Sequence, residues 1–468
     1  MASATRAPAT DLRLSEVVSG LSYALDIADG HDLGHSVRTC LIGMRLADEV
    51  GLAVAARSAL FYGLLLKDAG CSSNAAKVSA LYAADDHELK RNVRLVDRKN
   101  IPEVLRYLWQ NVGGTGPRKL ATAVGAAVNG PRNAREMTQI RCERGADIAL
   151  MLDLPAETAE AIRCLDEHWD GRGHPVGLAG EAIPLLARIL NLAQVVEVFQ
   201  AARGRDAAFE MARDRAGSWF DPALVDAFER IRGDDALWAT LAGDAGHAVA
   251  ELEPADSVVV ADEARLDRVA EAFALVIDAK SPYTCRHSER VAELAVAAGR
   301  VIGLGESELT DLRRAGLLHD IGKLAISSRI LDKPGRLDDD ERALIERHPA
   351  FTASILERIP HLNSLAADAA AHHEKLDGSG YHLGLVGADL PTAARLLAVS
   401  DIFEALTAKR PYRSAMTTAD ALALMQNEVG SKLCAEAFGA LVESVQGTSL
   451  PVGTTADRAA GRALPRAA

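Results

Sequence analysis

The chain has 468 residues, 49% hydrophobic and 25% charged, with a formal net charge of −13. This balance is typical of a soluble globular protein, and the lack of dense Lys/Arg runs argues against binding of a nucleic-acid backbone. Aromatic residues are only 4%, which favours helices over sheets. No run of 18 apolar residues and no C-x-x-C pair occurs. We therefore expect a reduced, cytoplasmic protein that neither spans a membrane nor binds nucleic acid.

An internal repeat organises the chain. GHSVRTCLIGMRLADEVGL at 34–52 matches RHSERVAELAVAAGRVIGL at 286–304, an offset of 252 residues. Further along, 166–190 matches 373–397 at an offset of 207, so the first copy holds about 45 extra residues somewhere within 72–140. The segments DDHELKRNVRLVDRKN and NVGGTGPRK predict that this insertion is polar and in places loop-like.

The repeat predicts two homologous halves and a tail. We place the first half at 1–254, the second at 255–447, and a flexible tail of small residues at 448–468. Each half begins with an amphipathic helix, LRLSEVVSGLSYALDIAD in the first and LDRVAEAFALVIDAK in the second. Three-to-four spacing of apolar residues in ERALIERHPAFTASILERI, ADAAAHHEKL and TAARLLAVSDIFEAL predicts further helices, and therefore an all-α fold.

The second half carries a set of histidines and aspartates beside apolar residues. They are His287, His319, Asp320, His348, His372, His373 and Asp401. Burying so many ionisable groups would be costly without a metal, and imidazole with carboxylate but no thiolate suits Fe, Mn, Co, Ni or Zn. Neighbours on a helix point about 100° apart, so His319 and Asp320 can address two ions or Asp320 can bridge them. Two such ions suit hydrolysis of a phosphate ester.

The segments that carry these residues resemble the HD-GYP domain, a branch of the HD phosphohydrolase superfamily. They read YTCRHSERVA, GLLHDIGKLAI, ERHPAFTASIL, HHEKLDGSGYH and SDIFEALTAKRPYRSAM, and they span roughly 265–440. The resemblance implies two tandem HD-domain-like helical bundles, the first degenerate, a bi- or trinuclear metal centre, and hydrolysis of cyclic di-GMP to pGpG or GMP.

The resemblance also implies which residues bind each of two metals. It implies one metal held by His287, His319, Asp320 and Asp401. Asp320 then bridges to a second metal, whose other ligands are His348, His372 and His373. Trinuclear relatives carry a Glu four residues before the first histidine, and Tyr283 stands there in this chain. Two divalent transition-metal ions are therefore expected, Fe or Mn in preference to Zn, Co or Ni.

Substrate contacts follow from the same resemblance. The expected nucleotide- and phosphate-binding residues are Lys323, Tyr381, Arg410 and Arg413. Asp320 and Lys323 are the expected catalytic residues, because an ammonium stabilises charge that develops on the phosphate. Glu374 is expected to orient a metal ligand. The family's Gly-Tyr-Pro reads Gly380-Tyr381-His382 here, which weakens the case for cyclic di-GMP specifically.

The first half has lost most of this set. It keeps His35 and Asp68. The replacements are Lys67 for His319, Cys71 for Lys323, Arg141 near the position of His348, Leu165 for His372, Asp166 for His373 and Gln194 for Asp401. We expect a degenerate copy that packs against the second half or regulates it, with Lys67 neutralising Asp68 in place of a metal.

Three functions stay open at this point. The first is a phosphodiesterase acting on cyclic di-GMP or a related nucleotide. The second keeps the chemistry but acts on another nucleotide or a phosphomonoester. The third is a signalling protein that binds a nucleotide without hydrolysing it. Self-association as a homodimer is also left open.

Overall fold

The structure is a computed structural model that describes residues 12–93, 95–96, 101–243, 249, 251–254, 258–409 and 414–447. In the first half the helices are α1 (Leu14–Ala28), α2 (His35–Glu49), α3 (Val54–Leu66), α4 (Ala75–Tyr82), α5 (Asp86–Val93), α6 (Ile101–Asn111), α7 (Gly116–Met151), α8 (Ala156–Arg163), α9 (Leu185–Arg203), α10 (Arg205–Arg215), α11 (Pro222–Arg230) and α12 (Asp235–Ala242). In the second half they are α13 (Glu263–Asp278), α14 (His287–Val301), α15 (Glu306–Leu318), α16 (Ser328–Leu331), α17 (Asp339–Ile345), α18 (His348–Leu356), α19 (Ala366–Ala370), α20 (Thr392–Thr407), α21 (Thr418–Gln426) and α22 (Ala435–Gly447). Pairing of β type is confined, within these ranges, to isolated bridges, and the expected all-α fold is confirmed.

The two halves begin in the same way. In each, the first amphipathic helix carries, in its last turn, a buried aspartate that holds the start of the next helix. Asp26 in α1 accepts the backbone N–H of Ser36 at 2.9 Å, and Asp278 in α13 accepts that of Ser288 at 3.3 Å. Both aspartates also accept the serine hydroxyl at 2.7 Å. A carboxylate at a helix N-terminus satisfies amide groups that have no partner within the helix.

One hydrophobic core runs through both halves, with Phe61 from the first half and Phe273 from the second in the same cluster of buried side chains. Helix α1 packs against α18 and against the 3-10 helix Ile321–Ala325, both of which belong to the second half. Gly20 permits this approach, because a Cβ there would lie 2.8 Å from the side chain of Ile359.

The insertion is more helical than the sequence predicts. Helices α4, α5 and α6 and most of the 36-residue α7 fall within 72–140. Of the Gly-rich segment 111–119, residues 112–115 connect α6 to α7 and the rest lies in these helices. The loop character predicted in places is thus limited to short connections within the described insertion, because helices packed against neighbours tolerate polar residues on their exposed sides.

The insertion reaches the second half through Asp86 at the start of α5. Its carboxylate accepts a hydrogen bond from Lys280 Nζ at 2.9 Å and another from the backbone N–H of Ser328 at 2.9 Å. The hydroxyl of Ser327 donates to it at 3.1 Å. Both Asp86 and Lys280 are buried. This contact ties the insertion to the segment that directly follows the 3-10 helix Ile321–Ala325.

Helix α9 is long and apolar enough to cross a membrane, and 72% of that stretch is buried inside the protein. Its contacts with α2 and α10 account for the apolar length, as expected of a core helix. The tail 448–468 lies outside the described residues, and the boundaries at 254/255 and 447/448 stay predictions.

Candidate metal centre

Asp320 lies at the centre of the predicted ligand set, and its two carboxylate oxygens face different groups of histidines. Oδ2 is 3.3 Å from Nε2 of His287 and 3.3 Å from Nε2 of His319. Oδ1 is 3.3 Å from Nε2 of His348 and 3.7 Å from that of His372. This is the arrangement expected of a carboxylate that bridges two cations.

The other predicted ligands complete two groups around Asp320. In the first group Asp401 Oδ1 lies 3.3 Å from His287 Nε2 and 4.0 Å from His319 Nε2. The second group consists of His348, His372 and His373. Within each group the donor atoms lie within 4.8 Å of one another. The structure thus brings together all seven residues, whose role as ligands stays a prediction.

Several of these side chains lie at helix ends rather than on continuous helices. The predicted helix over ERALIERHPAFTASILERI is divided into α17 and α18, and His348 begins α18 directly before Pro349. Proline fits the first turn of a helix but not its interior. His372 and His373 follow the end of α19 in a turn, so both neighbouring imidazoles reach the cluster.

Hydrogen bonds at Nδ1 orient the imidazoles. In three of them a carbonyl three residues earlier accepts from the ring: Gly316 for His319 at 2.7 Å, Ile345 for His348 at 2.7 Å and Ala369 for His372 at 2.5 Å. His287 Nδ1 lies 2.5 Å from a carboxylate oxygen of Glu404. A donating Nδ1–H leaves Nε2 as the free lone pair, which is the form that binds a metal.

Glu404 is a functional residue that the sequence analysis missed. It is buried on α20, three residues after Asp401. The repeat contains a signal for it: Glu197 lies 207 residues earlier and contacts Nδ1 of His35 in the same way. A glutamate that accompanies the first histidine in both halves could have been found by aligning the two copies.

Burial and neighbouring charges set the protonation of the cluster. Burial lowers the pKa of His372 well below its usual range, with neighbouring imidazoles adding to the effect, and lowers that of His373 to about 3. Burial opposes ionisation of Asp320, but His319 and Lys323 outweigh it and hold the pKa of Asp320 well below its ordinary value. The neutral imidazoles of His372 and His373 and the ionised carboxylate of Asp320 are in the protonation states that ligate metals. His287 differs, because Asp320, Asp401 and Glu404 outweigh burial and raise its pKa well above the usual range.

Two buried atoms support the fit of a cation at this site. His319 Nε2 and Asp320 Oδ1 are buried and have no hydrogen-bond partner, although buried polar atoms in folded proteins are nearly always paired. Both belong to the residues that would bind a metal. The donor set, nitrogen and oxygen without sulfur, suits divalent transition metals.

Two of the predicted substrate-binding residues border the cluster. Lys323 Nζ lies 2.5 Å from Asp320 Oδ2, and its side chain is 23% exposed. The ring of Tyr381 lies 4.7 Å from the ring of His373, with their planes 35° apart. Arg410 and Arg413 lie outside the described residues.

The sequence analysis expected Glu374 to orient a metal ligand, but the structure gives it a different role. Its carboxylate accepts the backbone N–H groups of Leu383 at 2.7 Å and Leu385 at 3.1 Å, so it braces the loop that carries Tyr381. Exposed His382, in this loop, has a φ of +97°. Proline is locked near −65° and could not adopt this conformation.

The equivalent region of the first half has ion pairs where the second has its cluster. Lys67 contacts the carboxylate of Asp68, and the guanidinium of Arg141 contacts that of Asp166. Asp29 and Cys71 bring two further donor atoms near Asp68, but the ammonium of Lys67 already neutralises that carboxylate. The expected replacement of a metal by Lys67 agrees with this geometry.

Close glycine contacts place Arg141 at the position of His348. A Cβ on Gly322 would lie 2.0 Å from the carbonyl oxygen of His348, and a Cβ on Gly70 would lie 1.9 Å from that of Arg141. Gly70 and Gly322 are themselves 252 residues apart. The same backbone packing thus recurs in both halves with a cation in place of the ligand.

The chain belongs to the HD-domain family, whose model matches residues 87–224 and 271–436, one segment in each half. This confirms the HD resemblance and the expected class of enzyme, a metal-dependent phosphohydrolase.

Two of the three comparisons with individual proteins extend over nearly the whole chain. A 3′3′-cGAMP-specific phosphodiesterase 3 of Vibrio cholerae serotype O1 is 41% identical over 92% of this chain and 94% of its own length. A cyclic di-GMP phosphodiesterase of Pseudomonas aeruginosa is 37% identical over 38% of this chain and 43% of its own. The crystal structure of a cyclic GMP-AMP specific phosphodiesterase of V. cholerae matches with a TM-score of 0.64 and 36% identity, covering 93% of this chain and 98% of the other.

Proposed function

We propose that the second half hydrolyses cyclic dinucleotides with two divalent cations, with 3′3′-cyclic GMP-AMP as the preferred substrate and cyclic di-GMP as the second candidate. The observation that carries this proposal is the position of Asp320 between two separate groups of imidazoles. The mixed nucleotide is favoured because the relative named for it matches nearly the whole chain, whereas the cited cyclic di-GMP relative matches 38% of it. The replacement of the family's proline by His382 agrees with an altered substrate.

Two metal sites fit the donor set. The first site would be held by His287, His319, Asp320 and Asp401, and the second by Asp320, His348, His372 and His373. When bound, divalent cations there polarise the phosphoryl oxygens and activate water for attack on phosphorus. Fe or Mn is preferred over Zn, Co or Ni, and Tyr283 in place of a glutamate favours two ions over three.

The side chains around these sites have separate tasks in the proposed reaction. Glu404 holds the ring of His287 with Nε2 directed at the cluster. Lys323, partly exposed beside Asp320, exchanges that carboxylate for a phosphate oxygen of the substrate and stabilises the charge that grows on it. Tyr381, packed on His373, offers an aromatic surface to a nucleobase.

The test compares matched substitutions in the two halves. Asp320→Ala should abolish hydrolysis of cyclic GMP-AMP and reduce the metal content, while Asp68→Asn, at the corresponding position 252 residues earlier, should leave both unchanged. Metal content is measured by elemental analysis and turnover by chromatography of the products, with thermal melting as a check that each variant is folded.

Each alternative has its own outcome. Hydrolysis that persists in Asp320→Ala would refute the proposed centre. Faster turnover of cyclic di-GMP than of cyclic GMP-AMP would make cyclic di-GMP the preferred substrate. Preference for linear pGpG or a phosphomonoester would favour the second class of function, and binding of cyclic dinucleotides without hydrolysis in metal-loaded protein would favour the third.

A further inference from the structure

The first half contains a cavity of about 220 Å³ at the place that corresponds to the metal cluster of the second half. We call it the first-half cavity. Four of its lining residues stand at positions of predicted site residues in the other copy: Cys71 for Lys323, Arg141 for His348, Asp166 for His373 and Gln194 for Asp401. The first half therefore has a cavity at positions where the second half carries predicted ligands.

Buried polar atoms on the wall of this cavity have no hydrogen-bond partner. They are Gln194 Oε1, Asn74 Oδ1 and Arg141 Nε. Gln194 is 1% exposed and Asn74 is 6% exposed. The amide of Asn74 is fixed, because its Nδ2 donates to the carbonyl of Met137 at 2.6 Å. Buried polar atoms left unpaired are unfavourable. The two amide oxygens therefore favour a ligand with N–H or O–H donors, and Arg141 Nε favours a ligand that also carries an acceptor.

The insertion supplies apolar side chains to the lining of the cavity. They are Val78 from α4, Val93 from α5 and Met137 from α7. A flat heterocycle with apolar faces and polar groups at its edge matches this mixture of apolar and polar lining residues. A purine base has this combination, since its rings are apolar on the face and its exocyclic amino or ring N–H groups donate at the edge.

The charged lining residues and the volume of the cavity restrict the class of ligand further. Lys90 lines the cavity together with the Arg141–Asp166 pair, and Lys90 Nζ is 3.9 Å from Asp86 and 4.0 Å from Asp29. Each cation lies beside a carboxylate, which it can exchange for the phosphate of a ligand. A volume of about 220 Å³ lies below the usual range of ligand pockets, about 300–1,000 Å³, and therefore suits one nucleoside unit rather than a cyclic dinucleotide.

We propose that the first-half cavity binds a purine mononucleotide without hydrolysing it. The site is distinct from the catalytic centre of the proposed function and does not depend on it. Arg141, which lines the cavity, stands at the position of the predicted ligand His348 in the other copy, so the nucleotide is held by a charge of this chain where the second half would hold a metal.

The test uses the full chain with GMP and AMP as probes, measured by isothermal titration calorimetry. The background is Asp401→Asn, which disables the second half at the position matched to Gln194. In that background one GMP or AMP should bind per chain. Adding Gln194→Leu, which removes the buried acceptor, should weaken binding at least tenfold. Adding Ala134→Phe, which fills the cavity from α7, should do the same without removing a polar group.

Three results would overturn the proposal. One is that neither GMP nor AMP binds the Asp401→Asn protein, which would leave the cavity to water. Another is that Asp401→Asn alone abolishes binding seen in the unmodified chain, which would place the nucleotide in the second half. The last is that both cavity variants fold, by circular dichroism, and bind as tightly as their parent.

Discussion

Replacing Asp86 by alanine should destabilise the whole chain, because it leaves the buried ammonium of Lys280 without its carboxylate partner and with only the ring of His87 at 2.7 Å. Asp86 and Lys280 are 0% and 1% exposed, and they come from different halves. Burial already lowers the pKa of Lys280 to about 8, against the opposing effect of Asp86. Without that carboxylate the cost of holding a charge there rises further.

The size of the effect follows from the burial of the pair. Removing one partner of a buried ion pair costs about 3–5 kcal/mol, and Asp86 also accepts from Ser327 and Ser328. The entropy of unfolding is about 2.1 cal/mol/K per residue, or on the order of 1 kcal/mol/K for this chain. The melting temperature of Asp86→Ala should therefore fall by about 3–5 °C.

Calorimetric melting with a matched surface pair measures this effect. Asp206 pairs with Arg232 at 3.3 Å, but its side chain is 83% exposed, so Asp206→Ala should change the melting temperature by less than about 1 °C. The double variant Asp86→Ala/Lys280→Met should recover part of the loss, because it removes the stranded charge. A shift in Asp86→Ala no larger than that in Asp206→Ala would refute the reasoning.

Three further predictions concern single side chains. Glu404→Gln should weaken metal binding about 10–100-fold, since His287 loses its carboxylate partner; unchanged affinity in a metal titration would contradict this role. Lys323→Met should lower kcat about 10²–10³-fold with metal content retained. Lys323→Arg should restore part of the lost kcat. A change confined to KM would count against charge stabilisation by Lys323. Burial raises the pKa of Asp26 from 3.8 to about 6. Between these values the folded state binds more protons than the unfolded state. The free energy of unfolding should therefore fall as the pH rises from about 4 to 6. Burial also raises the pKa values of Asp278 and Asp368 to about 6, so Asp26→Asn should remove only its own share of that slope in denaturant melts at stepped pH. A slope identical to that of the unmodified chain would contradict the role of Asp26.

The central position of Asp320 could be predicted from the sequence, because its place beside His319 limits where the two side chains point. The convergence of His372 and His373 was predicted from the family resemblance and not from periodicity, since it depends on α19 ending before them. Periodicity alone extends that helix through both histidines. Glu404 was missed because a glutamate on an apolar helix gives no local signal, although comparison with Glu197 reveals it.

The conformation of the insertion could not be predicted from the sequence either. Its glycines and charges indicate loops when each segment is considered alone. In the structure Asp86 finds Lys280 about 190 residues later in the chain, and α7 packs along α8 and the first-half cavity. Such long-range contacts decide the conformation of segments whose local preferences are weak.

The core that runs through both halves has a consequence for the history of this duplicated chain. Where two copies fold separately, the copy that has lost its activity can be deleted without harm to the other. Here α1 of the first copy covers the segment that carries Lys323 in the second. Substitutions that erase ligands in the first copy leave that cover intact, whereas deletion of the copy would expose the interior of its partner to water. Selection can therefore discard the chemistry of the first copy and must still keep its helices.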